Sequence, residues 1–354
     1  MKEKGLSGPR YLLKPDGGTI DLDMSIQRPA QTAQSGPAAS VMGALALDGC
    51  EGVTLVLDVG GTTTDMSVVI DGTPLLKPLG IRLGPYQTLI RSLLTHSIGI
   101  GGDSEVRMAR DGKLKIGPVR RGEPAGFGGP APTPTDAMIT LGLLDAGKRD
   151  VARLAMEKVG ETAGWDDAAT AERVLQGMAE AIAASARAFV YDINAQPVYT
   201  IHEVLADQRV EPTSVLIIGG PAPQIAGYIG KALGLPCRFP RHYGVANAVG
   251  AAVARVTSEI TLQADTQRGS VIIPEAAVEN DIDAGFTMDQ ALSLGRAVLC
   301  QQAAINGADE KGLEISILER QAFTMIRGYM RTGRNIRLKM GITPGLIPEW
   351  KRGG

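Results

Sequence analysis

Val53-Thr-Leu-Val-Leu-Asp-Val-Gly-Gly-Thr-Thr-Thr-Asp-Met-Ser-Val-Val-Ile70 reads as a strand, a tight turn and a second strand. A β-branched and leucine run ends on Asp58, breaks at Gly60-Gly61, passes three threonines and Asp65, and resumes as an apolar run from Met66 to Ile70. Such a turn can cradle a phosphate. Glycines remove Cβ atoms, so backbone N–H groups can approach phosphate oxygens, and the hydroxyls of Thr62, Thr63 and Thr64 add donors at the same place. Asp58 and Asp65 stand at the two strand edges, where a carboxylate can hold a hydrated magnesium ion or orient an attacking group. They are the candidate catalytic residues, and Asp58 is the candidate metal ligand. No Gly-Lys-Ser/Thr and no helical pattern follow the glycines, which excludes a P-loop and a Rossmann turn. A phosphate-binding hairpin remains, with an ordinary glycine-rich hairpin as the plain alternative.

Asp58-Val-Gly-Gly-Thr-Thr-Thr-Asp65 resembles the phosphate motif of the actin, sugar kinase and Hsp70 superfamily. More narrowly, it resembles the second Asp-x-Gly-Gly-Thr-x-Thr-Asp of the hydantoinase/5-oxoprolinase family. Further segments carry the same resemblance. Ser35-Gly-Pro-Ala-Ala-Ser-Val-Met-Gly-Ala44 precedes the hairpin as a helix of small residues, with Ser35 or Gly36 able to cap it. Val245-Ala-Asn-Ala-Val-Gly-Ala-Ala-Val-Ala-Arg255 is a second such helix, and the resemblance implies that the two cross closely. In Ser97-Ile-Gly-Ile-Gly-Gly-Asp-Ser-Glu105, Gly101 and Gly102 are candidate nucleotide contacts, with a plain structural turn as the equal alternative, since Asp103 stands where the family has a third glycine. Gly126 to Ala137 resembles the family's Thr-x-Thr-Asp-Ala segment, with Thr135 or Asp136 expected as a helix cap.

Val215-Leu-Ile-Ile-Gly-Gly-Pro-Ala222 is a buried strand ending in a glycine pair, followed by a helix expected from about Pro223 to Leu233. The C-terminal ends of strands are where α/β sheets place ligands, and bare glycine backbone lets a flat base or ribose lie close. In order along the chain this matches the superfamily's adenosine motif. Gly219, Gly220 and Pro221 are therefore candidate nucleotide-binding residues.

With 354 residues and 44% hydrophobic content the chain can bury one large core or two modest ones. A net charge of −2 without a long basic block favours neither a nucleic acid nor a membrane surface as partner. Cys50, Cys237 and Cys300 are isolated and lack metal spacing, as expected in a reducing cytoplasm. His96, His202 and His242 are too scattered to suggest a histidine metal centre.

Residues 1–34 are polar and turn-rich, with a short strand at Tyr11-Leu-Leu, and are expected to be the remnant of a preceding lobe or linker. Residues 35–256 are expected to form the nucleotide-binding lobe, including a strand from Thr73 to Leu79, an exposed hairpin from Arg107 to Gly117 and helices over 150–194. Residues 257–354 are expected to form a small α+β domain. Its elements are strands at Ser270 to Pro274 and Leu313 to Leu318, a helix from Asp289 to Asn306, and a terminal hairpin turning at Arg331 to Arg334. Ile336, Leu338 and Met340 alternate with Arg337 and Lys339, as in a half-buried strand.

The expected fold is α/β: an actin-like, ribonuclease H-like ATPase lobe with a smaller α+β C-terminal domain. The resemblance implies ATP and Mg2+ as cofactors and ATP-dependent hydrolysis of a small cyclic amide such as a hydantoin or 5-oxoproline. Family members generally carry two copies of the aspartate–glycine–threonine motif, and this chain has one. A missing N-terminal lobe or a companion subunit is therefore an expected partner, with a homo-oligomer also possible, and the isolated chain is expected to be weakly active or inactive. The alternatives from the same superfamily are a nucleotide-dependent reactivating factor and a small-molecule kinase.

Overall fold

The computed structural model describes residues 8–77, 80–195, 209–308, 313–327, 329–348 and 350. His202 and the expected strand end at Leu79 lie outside the described residues. The chain divides into two compact units: residues 36–252 form one, and residues 1–35 with 253–351 form the other.

The second of these units begins with β1 (Tyr11–Leu13) and β2 (Thr19–Asp21), paired antiparallel, followed by α1 (Leu22–Gln27), which Asp21 caps. A polar cluster pins the turn between the strands. Lys14 Nζ lies 3.3 Å from Asp16 Oδ2 and donates to Thr257 O, while Asp16 accepts from the Gly18 N–H and the Thr257 hydroxyl.

In the unit of residues 36–252, α2 (Ser35–Leu47) leads into β3 (Val53–Val59) and β4 (Thr64–Ile70). These strands pair antiparallel along their whole length, with Asp58 opposite Asp65 and Val59 opposite Thr64. The short β5 (Thr73–Pro74), the β6–β7 ribbon (Arg82–Leu83, Tyr86–Gln87) and β8 (Thr95–Ile98) follow. Both β5 and β8 pair with β4. The third strand beside the hairpin is thus mainly β8. The expected exposed hairpin is β9 (Val106–Met108) with β10 (Leu114–Ile116).

After α3 (Pro134–Thr140), α4 (Arg149–Gly160) and α5 (Asp167–Ala195), β11 (Ser214–Ile218) runs parallel to β3. Next come α6 (Ala222–Leu233), β12 (Cys237–Arg238), parallel to β11, and α7 (Ala246–Val253). An antiparallel meander extended by parallel strands across helical crossovers is the arrangement expected of an actin-like, ribonuclease H-like lobe. Strand alternation sorts the two faces. Leu55, Leu57 and Val59 pack with Met138, Met156, Val174, Ile182 and Ile225 into one core. Thr54, Val56 and Asp58 alternate onto the opposite face, where Ser40 of α2 reaches Asp58.

On this opposite side the expected close crossing of small-residue helices is present. A Cβ added to Gly43 of α2 would collide with the backbone of Ala246, and one on Gly250 of α7 with the backbone of Ala39 and Gly43. The helices meet backbone to backbone.

The remaining strands, β13 (Glu259–Asp265), β14 (Ser270–Ile273), β15 (Val278–Asp281), β16 (Ile315–Arg327) and β17 (Met330–Ile342), form an antiparallel sheet in the order β15-β14-β13-β17-β16. α8 (Met288–Ile305) packs on it through Ala291, Val298 and Leu299. Ile336, Leu338 and Met340 are buried, while Arg337 and Lys339 pair with Glu319 and Glu259. The basic face is thus ion-paired. The expected turn at Arg331–Arg334 is not there: Arg327 already pairs with Met330, and Gly333 lies within the ladder opposite Met325. No helix among the described residues is long and apolar enough to cross a membrane.

Candidate functional site

The turn from Gly60 to Thr63 is closed by one internal bond, Gly60 N–H to Thr63 O at 2.9 Å. Its two glycine carbonyls face the 101–104 loop, where Gly60 O accepts from the Gly102 N–H and Gly61 O from the Asp103 N–H. Thr64 Oγ1 anchors the same loop by donating to Ile100 O at 2.7 Å. With its carbonyls turned inward, the turn leaves the N–H groups of Gly61, Thr62 and Thr63 without a backbone acceptor among the described residues. Thr62 and Thr63 are exposed, whereas Thr64 is buried. Thr64 therefore serves the loop, whereas Thr62 Oγ1 accepts from Arg120 Nη1 and Thr63 is exposed.

Gly101 and Gly102 are buried beneath the turn rather than open to it. A Cβ on Gly101 would lie 2.6 Å from Gly60 O and Gly61 O, and one on Gly102 would lie 2.9 Å from Thr135 Oγ1 and 3.2 Å from Pro221 Cγ. Their bareness lets the backbone of the loop close up under the hairpin. Asp103, in place of a third glycine, sets its carboxylate against Gly61 and forms an ion pair with Arg120 at 2.8 Å. Burial pushes the Asp103 carboxyl above the usual carboxylate range, and the Arg120 charge opposes that rise.

The adenosine-type segment meets the hairpin from the other side. Gly219 has φ +94°, a conformation that favours glycine, and a Cβ there would collide with Val59 O and lie 2.7 Å from Asp58 Oδ1. Gly220 is exposed, with nothing within 4 Å of a Cβ position. The two glycines thus do different work: Gly219 permits the close strand-end packing, and Gly220 offers open backbone.

Asp58 and Asp65 face one another across the hairpin and line a narrow crevice with Ser40, Ser67 and Thr95. Ser40 Oγ donates to Asp58 Oδ2 at 2.5 Å. Burial raises the Asp58 carboxyl above its ordinary value, the Ser40 hydrogen bond counters this, and the neighbouring Asp65 adds a smaller push upward. Among the described residues no group of three or more His, Cys, Asp or Glu side chains is placed to hold a metal ion. A magnesium ion here would depend on one or two carboxylates together with phosphate oxygens and water, the usual manner for that ion.

Asp136 is a structural anchor. It accepts from the N–H groups of Ala125, Gly126 and Thr133 and from the Thr133 hydroxyl. The cap of α3 is Thr133, not Thr135 or Asp136: Pro134 occupies the first helical turn and Asp136 closes a capping box. Thr135 instead donates to Gly102 O. Sequence reasoning did not single out Ser40 or Arg120 as site residues. A lone hydroxyl in the Ala-rich face of α2 was the available signal for Ser40, whereas nothing local distinguishes Arg120 from its neighbour Arg121.

A family model described as hydantoinase/oxoprolinase matches residues 1–260. The chain belongs to this family. Over 190 residues it is 26% identical to an uncharacterised protein of Methanocaldococcus jannaschii, a match covering 46% of this chain and 28% of that protein. Over 167 residues it is 28% identical to the acetophenone carboxylase gamma subunit of Aromatoleum aromaticum, covering 45% of this chain and 22% of that one. Among solved structures, a nucleotide-free acetone carboxylase superposes with a TM-score of 0.68 at 16% identity, covering 99% of this chain and 54% of that chain. The ATP-dependent caprolactamase of Pseudomonas jessenii superposes with a TM-score of 0.60 at 15% identity, covering 99% and 55%. At these identities the two structures establish a shared fold. The chain spans about half the length of these two solved chains, and its matches span about a quarter of the curated relatives.

Proposed function

We propose that this chain supplies the nucleotide-binding lobe of an ATP-dependent enzyme that activates the carbonyl oxygen of a small molecule, with a cyclic amide of the hydantoin or 5-oxoproline type as substrate class. The observation that carries this reading is the packing of Gly219 against Val59 and Asp58, which sets an open glycine backbone beside the phosphate-type turn. The unengaged N–H groups of Gly61, Thr62 and Thr63 suit phosphate oxygens, as do the exposed hydroxyls of Thr62 and Thr63. Gly220 would lie against the ribose or base. Asp58 and Asp65 would hold a hydrated magnesium ion or orient the reacting group, Ser40 keeping the Asp58 carboxylate aimed. Bound ATP would supply a phosphoryl group to the amide oxygen, which turns a poor electrophile into one that water attacks.

An acetone carboxylase, a caprolactamase and an acetophenone carboxylase subunit among the relatives support ATP-dependent carbonyl chemistry and assembly with further polypeptide. We assign the second half of the phosphate clamp to such a companion lobe or subunit, because phosphoryl transfer needs groups held on both sides of the nucleotide.

Calorimetry of the chain with Mg-ATP and Mg-ADP tests the lobe, with Asp58→Ala and Gly220→Val alongside. The open space at Gly220 means that valine obstructs a ligand without disturbing the fold. Saturable binding lost in both variants, with melting temperatures retained, is the expected result. A cooperatively folded chain that shows no saturable binding would reject the reading. Ring opening of a hydantoin with phosphate release by the assembled enzyme, rather than a stable phosphorylated product, separates the amidohydrolase from a kinase.

A further inference from the structure

Arg120 is held at three points. Its Nη2 pairs with Asp103 Oδ2 at 2.8 Å, its Nη1 donates to Thr62 Oγ1 at 3.3 Å and its Nε donates to Gly122 O at 3.2 Å. Asp103 is itself fixed, because its N–H donates to Gly61 O and its Oδ1 lies 3.3 Å from Thr135 Oγ1. The guanidinium is therefore delivered to the tip of the turn by groups from the 101–104 loop, the 120–122 segment and the hairpin. Its side chain is 43% exposed while that of Asp103 is 19% exposed, so the cation faces outward and the anion lies behind it.

Position along the turn gives this contact its meaning. Gly219 packs at the Val59 end, whereas Arg120 bonds to Thr62 at the tip. A nucleotide whose ribose lies at Gly219–Gly220 and whose phosphates follow the turn would bring its outermost phosphate to Thr62. Guanidinium groups bind phosphate oxygens through paired N–H donors in a rigid fork, and such charge-assisted bonds are among the stronger polar contacts. Asp103 orients that fork in advance. The entropy of ordering a long side chain is then already spent before a ligand arrives.

We propose that Arg120 recognises the terminal phosphate of a nucleoside triphosphate and so makes this lobe select tri- over diphosphates, with Asp103 as the positioning residue. This rests on the nucleotide-lobe reading above and names a discrimination which that reading leaves open.

The test is calorimetric titration of the full chain and its Arg120→Ala and Arg120→Lys variants with Mg-ATP and Mg-ADP, with thermal melts of each. Loss of the fork should weaken Mg-ATP by about ten- to hundredfold and Mg-ADP by less than about threefold. Arg120→Lys should recover only part of the loss, since an ammonium restores charge without the fork. Equal weakening of both nucleotides would mark Arg120 as merely structural, and an unchanged preference for ATP would also overturn the proposal; both leave the nucleotide-lobe reading standing. If the intact chain bound neither nucleotide, the two would fall together.

Discussion

Ser40 on α2 donates a hydrogen bond of 2.5 Å to Asp58 on β3, joining a helix of small residues to the carboxylate at the end of the phosphate-type hairpin. This bond favours the ionised carboxyl, whereas burial and Asp65 disfavour it. Ligand or cation binding that needs the Asp58 anion should therefore strengthen as pH rises through a limb lying above 3.8. Ser40→Ala removes the one opposing influence and should move that limb to higher pH. Mg-ATP titrations at a series of pH values check this, and an unmoved limb would separate Ser40 from the ionisation of Asp58.

Asp58→Asn should stabilise the fold while abolishing cation and nucleotide binding. The folded-state carboxyl titrates above its unfolded value of 3.8, so the folded chain holds more protons in the window just above that value. Stability attributable to this group is present below the window and declines as pH rises through it. At neutral pH the half-buried charge is thus a cost that asparagine removes while still accepting from Ser40. A gain of about 1 kcal/mol would raise the melting temperature by about 2–4 °C. A melt showing a loss instead would mean that the charge has a partner that the site geometry omits.

Asp136→Ala should be among the most damaging single changes in the 36–252 unit. The substitution strands three backbone N–H groups and the Thr133 hydroxyl in a buried setting. Unsatisfied buried donors cost about 1–3 kcal/mol each, so a total loss of about 3 kcal/mol or more is expected. Denaturant titration measures it. A loss below about 1 kcal/mol would show that water replaces the carboxylate freely.

Gly43→Val and Gly250→Val should each prevent close packing of α2 against α7, because the added atoms meet backbone that has no rotamer to change. Gly227→Ala is the contrasting case. Gly227 is exposed within α6, with nothing within 4 Å of a Cβ position, and alanine there should stabilise by about 0.5–1 kcal/mol. Parallel thermal melts of the three variants decide the matter, and similar losses in all would refute the crossing as the cause.

The hairpin was readable because its chemistry is local: a strand run, a glycine pair, threonines and two aspartates fall within 18 consecutive residues, Val53 to Ile70. The two small-residue helices were readable for a related reason, since a helix stripped of bulk has few uses other than close approach. What escaped was set by distance or by competition. Arg120 meets Thr62 across 58 positions, a relation that no local pattern encodes. The α3 cap falls at Thr133 rather than at the expected Thr135 or Asp136, because Pro134 at the helix start selects the residue just before it. The terminal turn was misread because Gly333 between polar neighbours imitates a reversal, although it lies in the ladder. β13 and β15 lie outside the expected strands: Glu259–Asp265 does carry a half-buried alternation, with Ile260, Leu262 and Ala264 buried, whereas Val278–Asp281 is polar and acidic and is held by pairing with β14.

The contact between α2 and α7 also bears on how this protein can change over time. Most interfaces between helices drift, because a larger side chain on one element can be matched by a smaller one on the other. Where glycine lies directly against the opposing main chain at both Gly43 and Gly250, no such exchange is open. A library randomised at positions 39, 43, 246 and 250 should return almost no pairwise compensations. Accepted change is then expected elsewhere in the unit, while the seam between these helices stays as it is.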